Sequence, residues 1–531
     1  CKICPGQKYS KRLNDFQTSE MIKMVSKPAE SRFSDLEKRI NSLEVTNNQI
    51  LNNLNISIDK KFYTCLGKQL NSPDIKFLNS SVKPQRGSWN LRNVKLIKSV
   101  AIQKWSVFIL ADISPSSVNR DISNFTRICK EMGMKIANPI EVRKCSLNDL
   151  EKHITDKNTT NDPNKKTDYE LVMIILQDKN AHNYQEVKRI CDINCNVISQ
   201  CIIKRNIEKL GRDASFCSNI AIKVNTKLGG INYCTDTGGS GGATSLGGSG
   251  GNTTSSAVSG ANTSGQHISS ANGSGQHIAH SNDAMVIFGI DVTHPGTGDM
   301  SNNSIAAVVS SIDDTFTRYH TSLRMQERRK EIIEDLRNIV KEHLAHYRIT
   351  TSKVPKKVLV FRDGIGDSSL QTVYFREIEE IKNAFKELNE NYNPDLTFVI
   401  VQKKHSIRFK GDGKGEYVKD QRRGPTCNPA PGTLIDSLGT KYNDFYMISH
   451  FALQGTPCPI KYHILIDGIK IKNFSQFIYD QCHIFSRATK AVSVVPAVYY
   501  AHLAAARAKC YVQDEKLLEV SDAFKNVLWY L

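Results

Sequence analysis

Two near-continuous apolar runs, each ending on an acid, constrain this chain most. MVIFGIDV (285–292) and KKVLVFRDG (356–364) are too short for buried helices and rich in β-branched residues, and so are expected to be buried strands. They reach Asp291 and Asp363 just where the apolar run stops. A carboxylate at the end of a buried strand is costly unless it is paired or binds a cation. Taken singly, each acid also fits a turn-forming Asp after a strand.

The rest of the chain supports an α/β fold. KWSVFILADI (104–113) and YELVMIILQD (169–178) read as buried strands. Helical spacing is expected over 117–134, and NYQEVKRICDINCNVISQC is expected to be a helix with its continuation. Such alternation points to a mainly parallel sheet with a site at the strand ends. After 283 come three successive strands: MVIFGIDV, SIAAVVSSID and TFTRYHTSLRM. An amphipathic helix follows, with Ile332, Ile333, Leu336, Ile339, Val340 and Leu344 on one face and Glu331 at its start. Then come strands at 356–364 and 396–404, and a helix at 496–511 with Pro in its first turn. Residues 31–56 suggest a connecting helix, and 85–97 an extended passage.

At 531 residues, two to four domains are expected. The stretch 236–282 has almost no charge or bulk and repeats SGQHI, so it is expected to be a disordered insertion. A net charge of +18 favours a polyanionic partner. No run approaches the 18 apolar residues of a membrane span, and no secretory signal opens the chain. Fourteen cysteines lie without a repeated frame, and Cys1-Lys-Ile-Cys4 lacks a second pair suited to zinc. Reduced thiols and a cytoplasmic location are therefore expected. The chain opens without methionine and is expected to be a fragment. GDGKGE (411–416) lacks the ending of a nucleotide-binding P-loop.

Asp291 and Asp363, with Glu331 and His502 in YYAHLAAAR, form a set of hard oxygen ligands plus one imidazole, suited to Mg²⁺ or Mn²⁺. Two-metal phosphoryl transfer needs such a set on a rigid edge, and RNase H-like folds build it from acids at strand ends. A second set is Tyr184, Lys188, Gln200, Lys223 and Lys227. Tyr184 and Lys188 share one helix face, and a ring beside ammonium groups suits a 5′-phosphorylated nucleotide. Lysines at this spacing on a basic chain also fit a solvated face.

GIDVTHP, RRKEIIEDL, FRDG and PAVYYAHLAAARAK together resemble the PIWI domain of eukaryotic Argonaute proteins. YQEVKR and IAIKVNTKLGGIN resemble their MID domain, and residues 4–23 the tail of a PAZ domain. The resemblance implies a PAZ tail at 1–24, a second linker at 25–98, a Rossmann-like MID domain at 99–235 and an RNase H-like PIWI domain at 283–531. It implies a small guide RNA of microRNA or siRNA type and metal-dependent cleavage of a target mRNA, leaving a 3′-OH and a 5′-phosphate. Asp291, Glu331, Asp363 and His502 would form the catalytic tetrad with two Mg²⁺ or Mn²⁺ ions, metal ligands including Asp291, Asp363 and His502, and Glu331 moving in to complete it. Tyr184 would stack on the first guide base. Lys188, Gln200, Lys223, Lys227 and Arg507 would grip phosphate near the C-terminal Leu531. His450, Arg487, Ser493 and Tyr499 would contact the guide backbone. Phe485 and Cys458 depart from the family pattern, standing where a tyrosine and an arginine are expected. Leu388 and Tyr392 match a pocket for tryptophan of Gly-Trp-repeat silencing proteins, and also fit ordinary packing. Non-cleaving family members make a partner-recruiting scaffold the alternative, and a guide-free RNase H-like nuclease or integrase stands as a third reading.

Overall fold

The structure is a computed structural model that describes residues 13–43, 48–155, 167–236, 284–296, 303–412, 417–420, 424–438 and 444–531. The CxxC pair, the low-complexity stretch (except Asp236) and most of GDGKGE lie outside the described residues.

The first sheet has four strands: β1 (Trp105–Ile109), β2 (Val142–Lys144), β3 (Leu171–Leu176) and β4 (Ile198–Ile203), in the order β2-β1-β3-β4 and all parallel. β1 and β3 are buried along their whole length, which explains their unbroken apolar sequence. Helix α1 (Pro115–Glu131) starts with Ser114 as its cap and Pro at the first position. Helix α2 (Ala181–Arg189) passes into a π-helical turn, Ile190–Asn194. The helical continuation expected beyond it is wrong. Asn196 adopts φ 52°, the chain reverses, and the β-branched residues that follow form β4, so Gln200 lies on a strand. Helix α3 (Ala214–Lys227) closes this unit.

The second sheet has nine strands. β5 (Met285–Thr293) lies third from one edge, with β6 (Ser304–Ser311) and then β7 (Tyr319–Gln326) outside it. On the other side lie β8 (Lys357–Asp363), β9 (Asp395–Gln402) and β10 (Ile460–Asp467), followed by Asp444–Ile448, Thr433–Ile435 and Lys68–Gln69. The β5–β8 and β8–β9 pairs are parallel. Side chains alternate across the sheet. Val286, Phe288, Ile290 and Val292 of β5 join Val358 and Val360 of β8 in one core. This core packs under α4 (Leu336–Thr351) and α5 (Leu370–Leu388). Ile287, Leu359 and Phe361 face the other way, toward α6 (Pro496–Ala508).

Two sequence expectations shift here. Helix α4 begins at Leu336, so Ile332 and Ile333 belong to the preceding loop, and Glu331 sits on that loop instead of a helix. The linker forms two helices, Ala29–Ser42 and Gln49–Asn53, and not one.

Candidate functional site

The alternation along β5 and β8 decides where the acids point. Ile290 pairs with Arg362, so Asp291 and Asp363 come next on adjacent strands, on the face that meets α6. Gly289 brings that helix down: a Cβ there would stand 2.2 Å from the carbonyl carbon and oxygen of Ala497. Small residues along α6 (Ala497, Ala501, Ala504, Ala505) permit the approach. His502 thereby comes over β5, with Nδ1 2.8 Å from Asp291 Oδ2.

Asp291 and Asp363 are 5% and 2% exposed. Lys403, just past β9, places Nζ 2.6 Å from Asp363 Oδ2, while Asp363 Oδ1 is buried with no hydrogen-bond partner. Burial, then the charge of Asp291, pushes the Asp363 carboxyl above its ordinary value, against the pull of Lys403 and His502. Gly364 follows at φ 88°, and the point where its Cβ would stand lies 3.8 Å from Glu331 Oε2 and 4.0 Å from Asp291 Oδ1. Glu331 Oε1 is 2.7 Å from His294 Nε2, whose Nδ1 is 2.9 Å from Ser304 Oγ. The four expected residues therefore gather at one end of β5 and β8. Among the described residues, no three His, Cys, Asp or Glu side chains stand close enough to hold a metal ion in this arrangement.

The second set also comes together. A cavity of about 300 Å³ is lined by Tyr184, Gln200, Lys223, Arg487, Arg507 and Leu531, among others. Behind it, the buried Lys188 donates from Nζ to Ser199 O (3.1 Å) and Oγ (2.6 Å). Lys227, 2% exposed, donates to Ser199 O (2.9 Å) and Gln200 Oε1 (3.0 Å). None of Lys188, Lys223 and Lys227 has a carboxylate partner among the described residues. Burial, then the charges of Lys188 and Arg507, holds Lys227 well below the usual lysine range, and burial with Arg487 lowers Lys223. Arg507 donates to Tyr184 Oη (3.0 Å) and to Asp192 Oδ2 (2.8 Å). Tyr511 donates to the same carboxylate oxygen at 2.7 Å, and Trp529 Nε1 donates to Tyr511 Oη at 3.0 Å.

The remaining expected residues are more scattered in role. Tyr499 is half-buried against Phe485 (ring centroids 4.6 Å), and Phe485 itself is core, which accounts for the missing hydroxyl there. Burial holds the His450 imidazole down at about 4, so at neutral pH it can offer a hydrogen bond but no charge. Ser493 accepts from Ser449 Oγ through its backbone oxygen. Cys458 is half-buried, with Sγ 3.5 Å from Lys403 O. Tyr392 packs edge-on against Phe385 and donates its hydroxyl to Pro355 O, while Leu388 ends α5 at 40% exposure. Lys403, His294, Asp192, Tyr511, Arg362 and Glu377 were not singled out from sequence. Of these, His294 and Arg362 lie inside the motifs GIDVTHP and FRDG, and Asp192 lies four residues after Lys188 on the same helical run.

Two family models match the chain. The family model described as the Mid domain of argonaute matches residues 83–158. The one described as the Piwi domain matches 171–247 and 251–513, more than half of the chain. The chain belongs to the Argonaute family. It is 29% identical to protein argonaute MEL1 of Oryza sativa subsp. japonica, over 97% of this chain and 48% of that protein. It is 28% identical to protein argonaute 10 of Arabidopsis thaliana, over 97% of this chain and 51% of that protein. It thus spans about half the length of these relatives. The solved Argonaute of Kluyveromyces polysporus with a guide RNA superposes with a TM-score of 0.77 at 22% identity, covering 100% of this chain and 60% of that one. The C-terminal lobe of a budding yeast Argonaute gives 0.69 at 22% identity, covering 88% and 95%. At these identities the likeness establishes the fold: an α/β architecture with a Rossmann-like MID part and an RNase H-like PIWI part. Among the described residues, no helix is long and apolar enough to cross a membrane, and none of the twelve cysteines forms a disulfide.

Proposed function

We propose that this chain is the guide-holding and target-cutting part of a small-RNA-guided silencing protein, with a guide 5′-end unit at 99–235 and a cutting unit at 283–531. The carrying observation is the pair Asp291 and Asp363, buried side by side on adjacent strands, with Asp363 Oδ1 left without a partner. A buried acid with one oxygen unpartnered and a like charge beside it suits a site meant for an added cation. The donors are carboxylate oxygens and one imidazole nitrogen, which fit Mg²⁺ or Mn²⁺. Asp291, Asp363 and His502 would hold two such ions, with Glu331 beside them. When bound, the ions supply Lewis-acid activation of water and charge neutralisation at the leaving oxygen.

The chain's own residues do the rest. Arg507 and Lys223 line a cavity in front of the buried Lys188 and Lys227, and their excess positive charge suits a 5′-terminal phosphate. The Tyr184 ring, lying 5.8 Å from the Arg507 guanidinium, offers a stacking face for the first base. Arg487, Ser493, Tyr499 and His450 follow as backbone contacts, which position a guide without reading its sequence. Sequence is left to base pairing between a microRNA- or siRNA-sized guide and its target mRNA, in the cytoplasm.

The test loads the full-length protein with a 5′-phosphorylated guide and adds matched, labelled target RNA in Mg²⁺. One guide-positioned cut, leaving 3′-OH and 5′-phosphate ends and lost in Asp363→Ala, is the expected result. The Lys403–Asp363 ion pair favours a second reading, a non-cutting scaffold that silences by recruiting partners such as Gly-Trp-repeat proteins at Leu388 and Tyr392. Guide binding without a cut would select that reading. Failure to bind the guide would sink both.

A further inference from the structure

Arg362 is fully buried on β8, on the sheet face opposite Asp363. Its Nε pairs with Glu377 Oε2 of α5 at 3.0 Å, and both side chains are 0% exposed. A buried ion pair of this kind is a weak source of net stability, because desolvation offsets most of its attraction. The arrangement therefore asks for another reason, and the guanidinium's other donors supply one. Nη1 donates to the backbone oxygen of Asp363, and Nη2 to the backbone oxygen of Glu331. One rigid planar group thus ties together the segments that carry two of the acids. Glu377 adds a further tie, since its Oε1 accepts from Ile333 N at 3.2 Å, two residues past Glu331.

The loop bearing Glu331 belongs to no strand or helix, so these bonds do what a sheet register does for Asp291 and Asp363. His294 holds the Glu331 carboxylate, and the backbone beneath it rests on Arg362 and Glu377, together with Gln326, whose Nε2 donates to Lys330 O (2.6 Å) and Ile332 O (3.1 Å). We infer that Arg362 and Glu377 are positioning residues that set the spacing between Glu331 and Asp363 for the cutting reaction. The inference rests on the cutting function proposed above. Neither residue reaches the reacting atoms, since Arg362 lies on the far face of the sheet. A lysine at 362 would keep the charge opposite Glu377 but could not reach two carbonyls and a carboxylate in one plane.

The decisive variant is Arg362→Met/Glu377→Leu in the full-length protein, beside Arg362→Lys. Replacing a buried ion pair with apolar side chains of similar volume commonly preserves the fold, and Arg362→Lys keeps the test open if the double variant does not fold. For both, guide Kd and target KM are expected to match the wild type. The cutting kcat is expected to fall about 10²-fold, the scale of an ångström of misplacement, and Mn²⁺ binding, followed by electron paramagnetic resonance, to weaken. A folded variant that cuts and binds Mn²⁺ like the wild type would overturn the inference. If the wild type holds guide but does not cut, the cutting reading fails. Mn²⁺ binding then decides alone: weakened binding supports the positioning role, and unchanged binding overturns it.

Discussion

Lys227→Met is expected to make the protein more stable and, if the proposed function holds, to weaken its binding of a 5′-phosphorylated guide. Lys227 is 2% exposed and has no carboxylate partner among the described residues. Its two hydrogen bonds, to Ser199 O and Gln200 Oε1, do not compensate for burial and for repulsion by Lys188 and Arg507, so its pKa falls well below the ordinary value. Replacing even a paired buried charge with apolar side chains of similar volume often returns about 1–4 kcal/mol. With the two hydrogen bonds lost, a gain of about 1–3 kcal/mol is expected, a rise in Tm of roughly 2–10 °C for a unit of this size.

The pH dependence has a definite sign. Between the lowered folded pKa and the ordinary lysine value, the unfolded chain binds more protons than the folded one, so stability rises with pH across that window. The rise should shrink in Lys227→Met. Binding goes the opposite way, because the phosphate loses a desolvated cation. That costs about 2–5 kcal/mol, at least about 30-fold in Kd. Scanning calorimetry against pH, with anisotropy titrations of 5′-phosphorylated and 5′-hydroxyl guides, measures both effects. A less stable variant that binds the 5′-phosphorylated guide as tightly as the wild type would refute the reasoning.

Asp363→Asn should also stabilise the fold while ending the cut, since it removes the Asp291 repulsion that raises the Asp363 carboxyl and leaves Lys403, which is one-third exposed, free to resolvate; paired Tm and cleavage assays check it. Gly289→Ala should cost at least about 3 kcal/mol, because its Cβ meets the Ala497 backbone and no side chain can give way. Cutting should fall with it, as the helix that carries His502 is lifted, while the variant's guide Kd below its Tm stays near that of the wild type. Asp192→Asn leaves the buried Arg507 uncompensated and should cost about 3–5 kcal/mol. A 5′-phosphorylated guide, which supplies the missing anion, should restore more Tm to this variant than it adds to the wild type.

What the sequence revealed about the site follows from the range of the interactions involved. Asp291 and Asp363 were legible because strand periodicity is local: each ends an apolar run, and parallel pairing brings the two ends together. Tyr184 and Lys188 were legible through the spacing of a single helix. Glu331 was misplaced because Ile332 and Ile333 continue an apolar face that fits helical spacing, although the first helical residue is Leu336. Gln200 was misplaced for a related reason, the left-handed turn at Asn196 being hidden in a run compatible with helix. Asp192, Lys403 and Glu377 left almost no trace, because what each does is defined by a partner far away in the chain. The Asp192–Arg507 pair closes over 315 residues, and Glu377 reaches Ile333 across 44. The acids and cations of the two sets sit in short local motifs, whereas the residues that hold them are fixed by tertiary packing and become visible only in three dimensions.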